Sequence, residues 1–278
     1  MSGFSPEWLA LREPVDHRSR DAGLGPRLAE RFSAAASVSV VDLGCGSGSN
    51  LRATSALLGE RQTWTLVDYD ERLLAAARER LSAWADTAAM VGDGLALTKA
   101  GKSIVVGFRQ ADLTRDLDNA LGSAPDLVTA SAFFDLCSTN FIEAFARAVA
   151  ARRSAFYTVL TYDGVQHWLP AHEADRDMLD AFRSHQLTDK GFGAAAGWTA
   201  PQVLANAFRS AGYKVAEGDS PWRLTPADKH LIADLAGGYA DAAGETGRIT
   251  SERLTDWRSV QRTHATVGHI DTLALPVA

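Results

Sequence analysis

The residues of this chain with the types and spacing to do chemistry are concentrated between Ser39 and Asp68. Residues 38–43 form an apolar run that carries Asp42 near its end and breaks into Gly44, Cys45, Gly46, Ser47 and Gly48. A helical pattern follows (Leu51, Ala53, Leu57, Leu58), then a second apolar run, 64–67, stopped by Asp68. Strand, glycine turn, helix and strand with an acid at its carboxyl end make one half of a nucleotide-binding α/β sheet. Gly44 and Gly46 can take backbone angles that a Cβ forbids, and they let a ligand approach the main chain. Asp68 stands where an acid in such a unit accepts hydrogen bonds from a ribose. The pattern therefore predicts an adenosine-like ligand at the carboxyl edge of a sheet.

A dinucleotide fingerprint would place its third glycine at Ser49, which disfavours an NAD-dependent oxidoreductase. The turn instead reads Asp-Leu-Gly-Cys-Gly-Ser-Gly over 42–48, and in this it resembles motif I of the class I S-adenosylmethionine-dependent methyltransferases. In that family the acid at the position of Asp42 lies near the amino group of the methionine part, and the acid at Asp68 takes the ribose hydroxyls. A sulfonium with an ammonium group prefers carboxylates, whereas a pyrophosphate prefers bare helix N-terminal amides. The resemblance implies a cofactor site that also includes Gly44, Cys45, Gly46, Asn50 and Ser131. Tyr69 is placed to stack along the adenine. Asp112 stands where the family receives the adenine amino group, with Leu113 packing on the ring; an Asp at a strand–helix junction is equally a helix N-cap.

Residues 11–20, Leu-Arg-Glu-Pro-Val-Asp-His-Arg-Ser-Arg, are similar to a segment that precedes motif I in some bacterial members of this class. There it folds over the cofactor, and an arginine like Arg20 pairs with the methionine carboxylate. A solvated N-terminal helix and turn is the other reading of the same residues.

Methyl transfer from a sulfonium needs a nucleophile held in line and a dry site, and it need not use a dedicated catalytic residue. The candidate bases are Asp135, past the fourth strand, and His167, past the fifth, with His172 and His17 behind them. Each also reads as a hydrogen-bonded loop or cap residue. Ser131 to Asp135 should border the acceptor, with Phe133 and Phe134 as an aromatic wall or as core. The Ser-Ala-Phe-Phe at 131–134 departs from the Asn-Pro-Pro-Tyr-type tetrapeptide of enzymes that methylate adenine or glutamine amino groups. Asp135, Asn140 and Asp163 do not form a metal-dependent set, so no metal is expected.

The net charge of −6 and the lack of a basic run argue against a nucleic-acid substrate. Cys45 and Cys137 offer neither a disulfide framework nor metal-ligand spacing, and both read as small buried groups. No apolar stretch reaches spanning length and no basic-apolar leader is apparent, so no membrane partner and a cytoplasmic location are expected.

These residues require a Rossmann-like doubly wound α/β fold. The pattern predicts seven strands, mostly parallel with an antiparallel last strand, and helical lid and cap insertions. Strands are expected at 38–43, 64–67, 103–108, 125–131, 154–161, 213–217 and 267–275, with a loop or hairpin at 86–102. One domain is expected: a helical lid (1–36), a cofactor-binding half (37–165), a cap (166–198) and a C-terminal half (199–278) with a helical insertion at 226–265. The expected activity is methyl transfer from S-adenosylmethionine to a small-molecule acceptor; the alternative is a non-catalytic cofactor-binding scaffold.

Overall fold

The structure, a computed structural model, describes residues 4–277. Helices α1 (Pro6–Ser19) and α2 (Leu24–Phe32) precede strand β1 (Val38–Leu43). The glycine turn leads into α3 (Ser49–Thr54), followed by β2 (Arg61–Asp68) and α4 (Glu71–Trp84). A hairpin of β3 (Thr87–Val91) and β4 (Gly94–Lys99) comes before β5 (Lys102–Gln110) and α5 (Leu113–Leu121). Next are β6 (Leu127–Ser131), α6 (Thr139–Ala151), β7 (Ala155–Leu169) and α7 (Asp175–Gln186). The chain closes with α8 (Ala200–Ser210), β8 (Tyr213–Asp219), β9 (Trp222–Leu224), α9 (Lys229–Glu245), α10 (Ser251–Ser259) and β10 (His264–Pro276).

The strands lie side by side in the order β3-β4-β5-β2-β1-β6-β7-β10-β8, and β9 pairs with β10 off this path. The pairs β5·β2, β2·β1, β1·β6 and β6·β7 are parallel, while β10 runs antiparallel to both β7 and β8. The mostly parallel sheet with an antiparallel last strand is therefore present. The count differs from seven because the 86–102 insertion folds as a hairpin on the β5 edge and β9 adds a short strip beside β10. Strand order reverses between β1 and β6, and such a reversal opens the crevice at the carboxyl ends where α/β sheets bind ligands.

Both sheet faces are covered. On one side Phe134, Phe145, Phe156 and Phe208 stack in succession, with ring centroids 4.9, 5.2 and 4.5 Å apart, joining the end of β6 to α6, β7 and α8. On the other, Leu74, Ala77 and Leu81 of α4 and Leu28 of α2 cover Trp64, Leu66 and Ile104. The burial of β7 changes along its length. Its first half is buried throughout, as a central parallel strand must be, and from Asp163 onward inward and outward residues alternate. Gln166 and Trp168 face in while Val165, His167 and Leu169 face out. Residues 166–169 thus continue the strand, and the cap begins only beyond them. Among the described residues no helix is long and apolar enough to cross a membrane.

Where the pairing of β10 with β7 slips register, between Ile270 and Thr272, one acid holds the backbone. Leu160 has a φ of +58°, unusual for a residue with a Cβ, and its amide donates to Asp271 Oδ1 of β10 at 2.8 Å. Asp271 Oδ2 accepts the Asp21 amide at 2.9 Å, which ties the end of the N-terminal segment to the same point. Removing this carboxylate leaves two main-chain donors without their acceptor. Asp271→Ala is expected to cost about 2–4 kcal/mol in denaturant unfolding, and Asp271→Asn, which keeps one acceptor oxygen, less. A cost under about 0.5 kcal/mol, the scale of an ordinary surface change, would deny Asp271 this role.

Candidate active site

The glycine turn is built as its sequence requires. Gly44 and Gly46 have φ values of +59° and +53°. A Cβ on Gly44 would stand 2.6 Å from Phe133 Cδ2, and one on Gly46 would stand 3.0 Å from Leu9 Cδ1. The turn is therefore closed in by the end of β6 on one side and by α1 on the other. Asp68 locks it to β2: Oδ2 accepts the Gly46 amide at 2.9 Å and Oδ1 accepts the Asp70 amide at 3.0 Å. Burial raises the Asp68 carboxyl despite these amides. Burial also raises the thiols of Cys45 and Cys137, so neither is prepared as a nucleophile.

Above the turn lies a cavity of about 830 Å³. Asp68, Tyr69, Gln110, Asp112 and Leu113 line one end. Gly44, Cys45, Gly46, Asn50 and Ser131 border its middle, and Phe133, Leu136, Lys190 and Phe192 border the other end. Phe4, Leu9, Arg12 and Asp16 complete the wall from the N-terminal segment. That segment is fastened by polar contacts. Glu13 receives Arg52 in a bidentate pair at 2.6 and 2.5 Å, and Arg80 bridges the Pro6 carbonyl (2.7 Å) and Ser47 Oγ (3.0 Å). His17 Nε2 lies 2.9 Å from Ser49 Oγ. It is thus a fastener of α1, and burial lowers its pKa.

Two residues expected at the cofactor stand one layer behind this wall. Asp42 is fully buried, and its Oδ1 accepts Asn50 Nδ2 at 2.7 Å while Oδ2 has no partner. Arg20 donates to Thr54 Oγ1 (2.8 Å) and Asn50 Oδ1 (2.9 Å) and does not border the cavity. Both act through Asn50, and the arginines that border the cavity are Arg12 and Arg72. Asp112 serves as the N-cap of α5: Oδ1 accepts the Thr114 hydroxyl and amide at 2.6 and 3.0 Å, which holds its pKa low. It borders the cavity at the same time.

The aromatic pair divides. Phe134 is core and Phe133 is wall. Asp135 follows them, buried, with Oδ1 unpartnered; burial pushes its pKa up to about 6, against the pull of Arg12. Ala132 has a φ of +50°, and this turn in the chain brings Phe133 and Asp135 round from the end of β6. His167 is not brought to the site: it is an exposed residue of β7, paired with Thr266 of β10. The alternation Val165-Gln166-His167-Trp168-Leu169 signals this outward position, but a polar Gln on the buried face conceals it. His172 belongs to the cap, where its Nδ1 accepts the Ala174 amide at 3.1 Å and its Nε2 meets Asp256 at 3.1 Å. Among the described residues no three His, Cys, Asp or Glu side chains converge to hold a metal. The sequence reading missed Lys190 and Phe192, which reach the cavity from a glycine-rich loop with no local signal.

Residues 40–106, which span the turn, Asp68 and β5, match the family described as a methyltransferase domain. That segment of the chain is thus similar to a methyltransferase domain. The fold of the chain is similar to that of a cyclopropane-fatty-acyl-phospholipid synthase-like protein from Lactobacillus casei, with 14% identity and a TM-score of 0.54 over 95% of this chain and 92% of that one. It is similar too to the YcgJ protein from Bacillus subtilis, at 15% identity and a TM-score of 0.53 over 94% and 99% of the two chains. The cyclopropane synthase MmaA2 from Mycobacterium tuberculosis aligns at 10% identity, with a TM-score of 0.53 over 98% and 94%. No curated protein matches the sequence.

The residues of the cavity fit S-adenosylmethionine, the cofactor that the resemblance of the glycine turn implies. The wall is acidic at the Asp68 end, open to main-chain approach at the glycines and apolar at the Phe133 end. Asp68→Ala is expected to weaken S-adenosylhomocysteine binding about tenfold or more, and unchanged affinity in titration calorimetry would exclude Asp68 as a direct ligand. Asp42 gives a stability signature. Burial raises its pKa from the ordinary 3.8 to about 7, so the native state holds the proton more tightly than the unfolded chain. The stabilisation is complete below about pH 4 and is lost as pH rises through about 7. Asp42→Asn should therefore flatten the decline in thermal stability of the unliganded protein between pH 5 and pH 8; an unaltered profile would count against a neutral buried Asp42.

Proposed function

We propose that the protein transfers a methyl group from S-adenosylmethionine to a small-molecule acceptor held in the same cavity. The observation that carries this reading is the continuity of the cavity from the glycine turn, past the end of β6, to the apolar wall of Phe133, Leu136 and Phe192. Its volume of about 830 Å³ lies in the upper part of the range for small-ligand pockets, which suits a cofactor and a modest acceptor together. When bound, the cofactor supplies an activated methyl group on a sulfonium. In this proposal Asp68 takes the ribose hydroxyls, Tyr69, Asp112 and Leu113 surround the adenine, and Gly44 to Gly46 let the ligand approach the main chain. Asn50, braced by Arg20 and Asp42, keeps the turn in shape. Phe133 and the N-terminal helix exclude water from the reacting end.

Asp135 is the group proposed to accept a proton from the acceptor. It does not itself line the cavity but directly precedes Leu136 of the wall, one of its oxygens is unpartnered, and a pKa of about 6 leaves it mostly ionised at neutral pH. Because the carboxylate is the active form, kcat/KM should rise with pH through about 6 and then level off. Asp135→Asn should lose that acid limb and about 10²–10⁴ in rate. An unchanged profile would leave the reaction without this base.

The first experiment is parallel calorimetric titration with S-adenosylmethionine, S-adenosylhomocysteine and NAD, followed by a metabolite screen with methyl-labelled donor. Binding of the first two and label transfer to a metabolite are expected. Binding without transfer to any metabolite would favour a scaffold role. Hydrogen exchange should show added protection over Pro6–Ser19 when S-adenosylhomocysteine binds, and its absence would remove the lid role of α1.

A further inference from the structure

The end of the cavity beyond β6 carries a cation that lacks a carboxylate of its own. Three basic side chains border the cavity: Arg12, Arg72 and Lys190. Arg12 is paired with Asp16 at 2.8 Å and Arg72 with Asp70 at 2.7 Å, so each brings its countercharge with it. Among the described residues no carboxylate stands within ion-pair distance of the Lys190 ammonium. Its Nζ lies 3.2 Å from His185 Nε2, and that nitrogen meets the exposed Glu245 Oε2 at 3.0 Å, so an imidazole separates the ammonium from the nearest acid. Burial lowers the Lys190 pKa, with only Glu245 pulling the other way. The group has given up part of its hydration without gaining an anion in exchange.

The loop that presents Lys190 is held by its own contacts. Asp189 Oδ1 accepts the amides of Gly191 and Gly193 at 2.7 and 3.0 Å, and Asp189 pairs with Ala194 across the turn. Beyond the turn, Ala195 pairs with Ser138 and the Ala196 amide donates to the Cys137 carbonyl at 2.7 Å, which ties the loop to the segment after β6. The Phe192 ring packs edge-on against Phe133 and Phe141, with centroids 5.5 and 4.7 Å away. Lys190 is therefore a point charge on a flexible stem, offered from a fixed main chain beside the apolar wall of Phe133, Leu136 and Phe192.

Resting on the methyltransferase reading above, we propose that the acceptor is an apolar carboxylic acid and that Lys190 selects it by pairing with its carboxylate while Phe133, Leu136 and Phe192 pack on its body. A pocket of this kind is lined mostly by apolar groups and takes its specificity from a few placed polar ones. Here the placed group is a single ammonium, which matches a single negative charge. A phosphate monoester, which carries close to two charges at neutral pH, would leave one unmatched. The acids Asp68 and Asp112 lie at the opposite end of the cavity, so the charge of the acceptor is kept away from the acids around the adenosine. An anion paired with Lys190 also replaces the hydration that the ammonium has lost, so the pairing strengthens as the site is closed to water.

The test is fluorine NMR titration of 3-(4-fluorophenyl)propionate, its neutral amide and 4-fluorophenyl phosphate into protein saturated with S-adenosylhomocysteine, using wild type and Lys190→Met. Wild type is expected to bind the carboxylate saturably, at least about tenfold more tightly than the amide. Lys190→Met keeps the apolar stem and removes the charge. It should lose the preference for the carboxylate while amide binding, S-adenosylhomocysteine affinity and Tm stay as in wild type. Absence of carboxylate binding, equal binding of carboxylate and amide by wild type, preference for the phosphate, or a preference that survives in Lys190→Met would overturn the proposal and leave the methyltransferase reading intact. Loss of S-adenosylhomocysteine affinity in Lys190→Met would assign the ammonium to the carboxylate of the cofactor and overturn the proposal as well. Failure of S-adenosylhomocysteine to bind wild type would overturn that reading and this proposal with it.

Discussion

The side-chain amide of Asn50 holds four elements at one point beneath the glycine turn. Its Nδ2 donates to Asp42 at the end of β1 and to Thr129 on β6, at 2.7 and 3.0 Å. Its Oδ1 accepts from Thr54 in its own helix and from Arg20 beyond α1, at 3.1 and 2.9 Å. An amide is suited to this position because it supplies two donors and an acceptor with two lone pairs from one planar group. An apolar residue of the same size would orphan a buried carboxylate and a buried hydroxyl at once. The turn above it can then be rigid before any ligand arrives, and the N-terminal segment is registered against the sheet by the same contacts.

Much of this arrangement was legible because its constraints are local in sequence. β1, the glycine turn, α3 and β2 follow one another directly, and the continuous apolar runs of buried parallel strands leave a plain signal. The reading failed where position depends on a distant partner. β7 continues through His167 because β10, about a hundred residues later, pairs with it, and the apolar run that marks a strand had already ended. Arg20 was matched to a role by its place in a segment, yet Arg12 is the arginine of that segment that borders the cavity, a difference set by where α1 docks. Phe133 and Phe134 are adjacent and alike, and only the left-handed turn at Ala132 decides which faces the ligand and which the core.

The charge density of residues 11–20 acquires a physical explanation in this setting. α1 fully buries only Val15 and Asp16, with Trp8 and Leu11 partly buried against the core, so its apolar seam is thin. Glu13, Asp16, His17 and Arg18 each find a partner on another element instead. The helix is seated by directional polar contacts, each of modest net strength, rather than by a continuous hydrophobic seam.

The two coverings of the cavity are consequently unlike in kind. The cap rises from β7, a strand continuous with the centre of the sheet, and Phe182 of its helix α7 packs on Tyr239 of α9, which joins Trp168 and Trp257 in one aromatic core. Moving it would expose that core to water. Releasing α1 would break ion pairs and expose a smaller apolar surface, that of Trp8, Leu11 and Val15. Traffic in and out of the cavity should therefore run on the N-terminal side, and its speed should respond to ionic strength, since salt weakens such pairs while leaving aromatic packing nearly untouched.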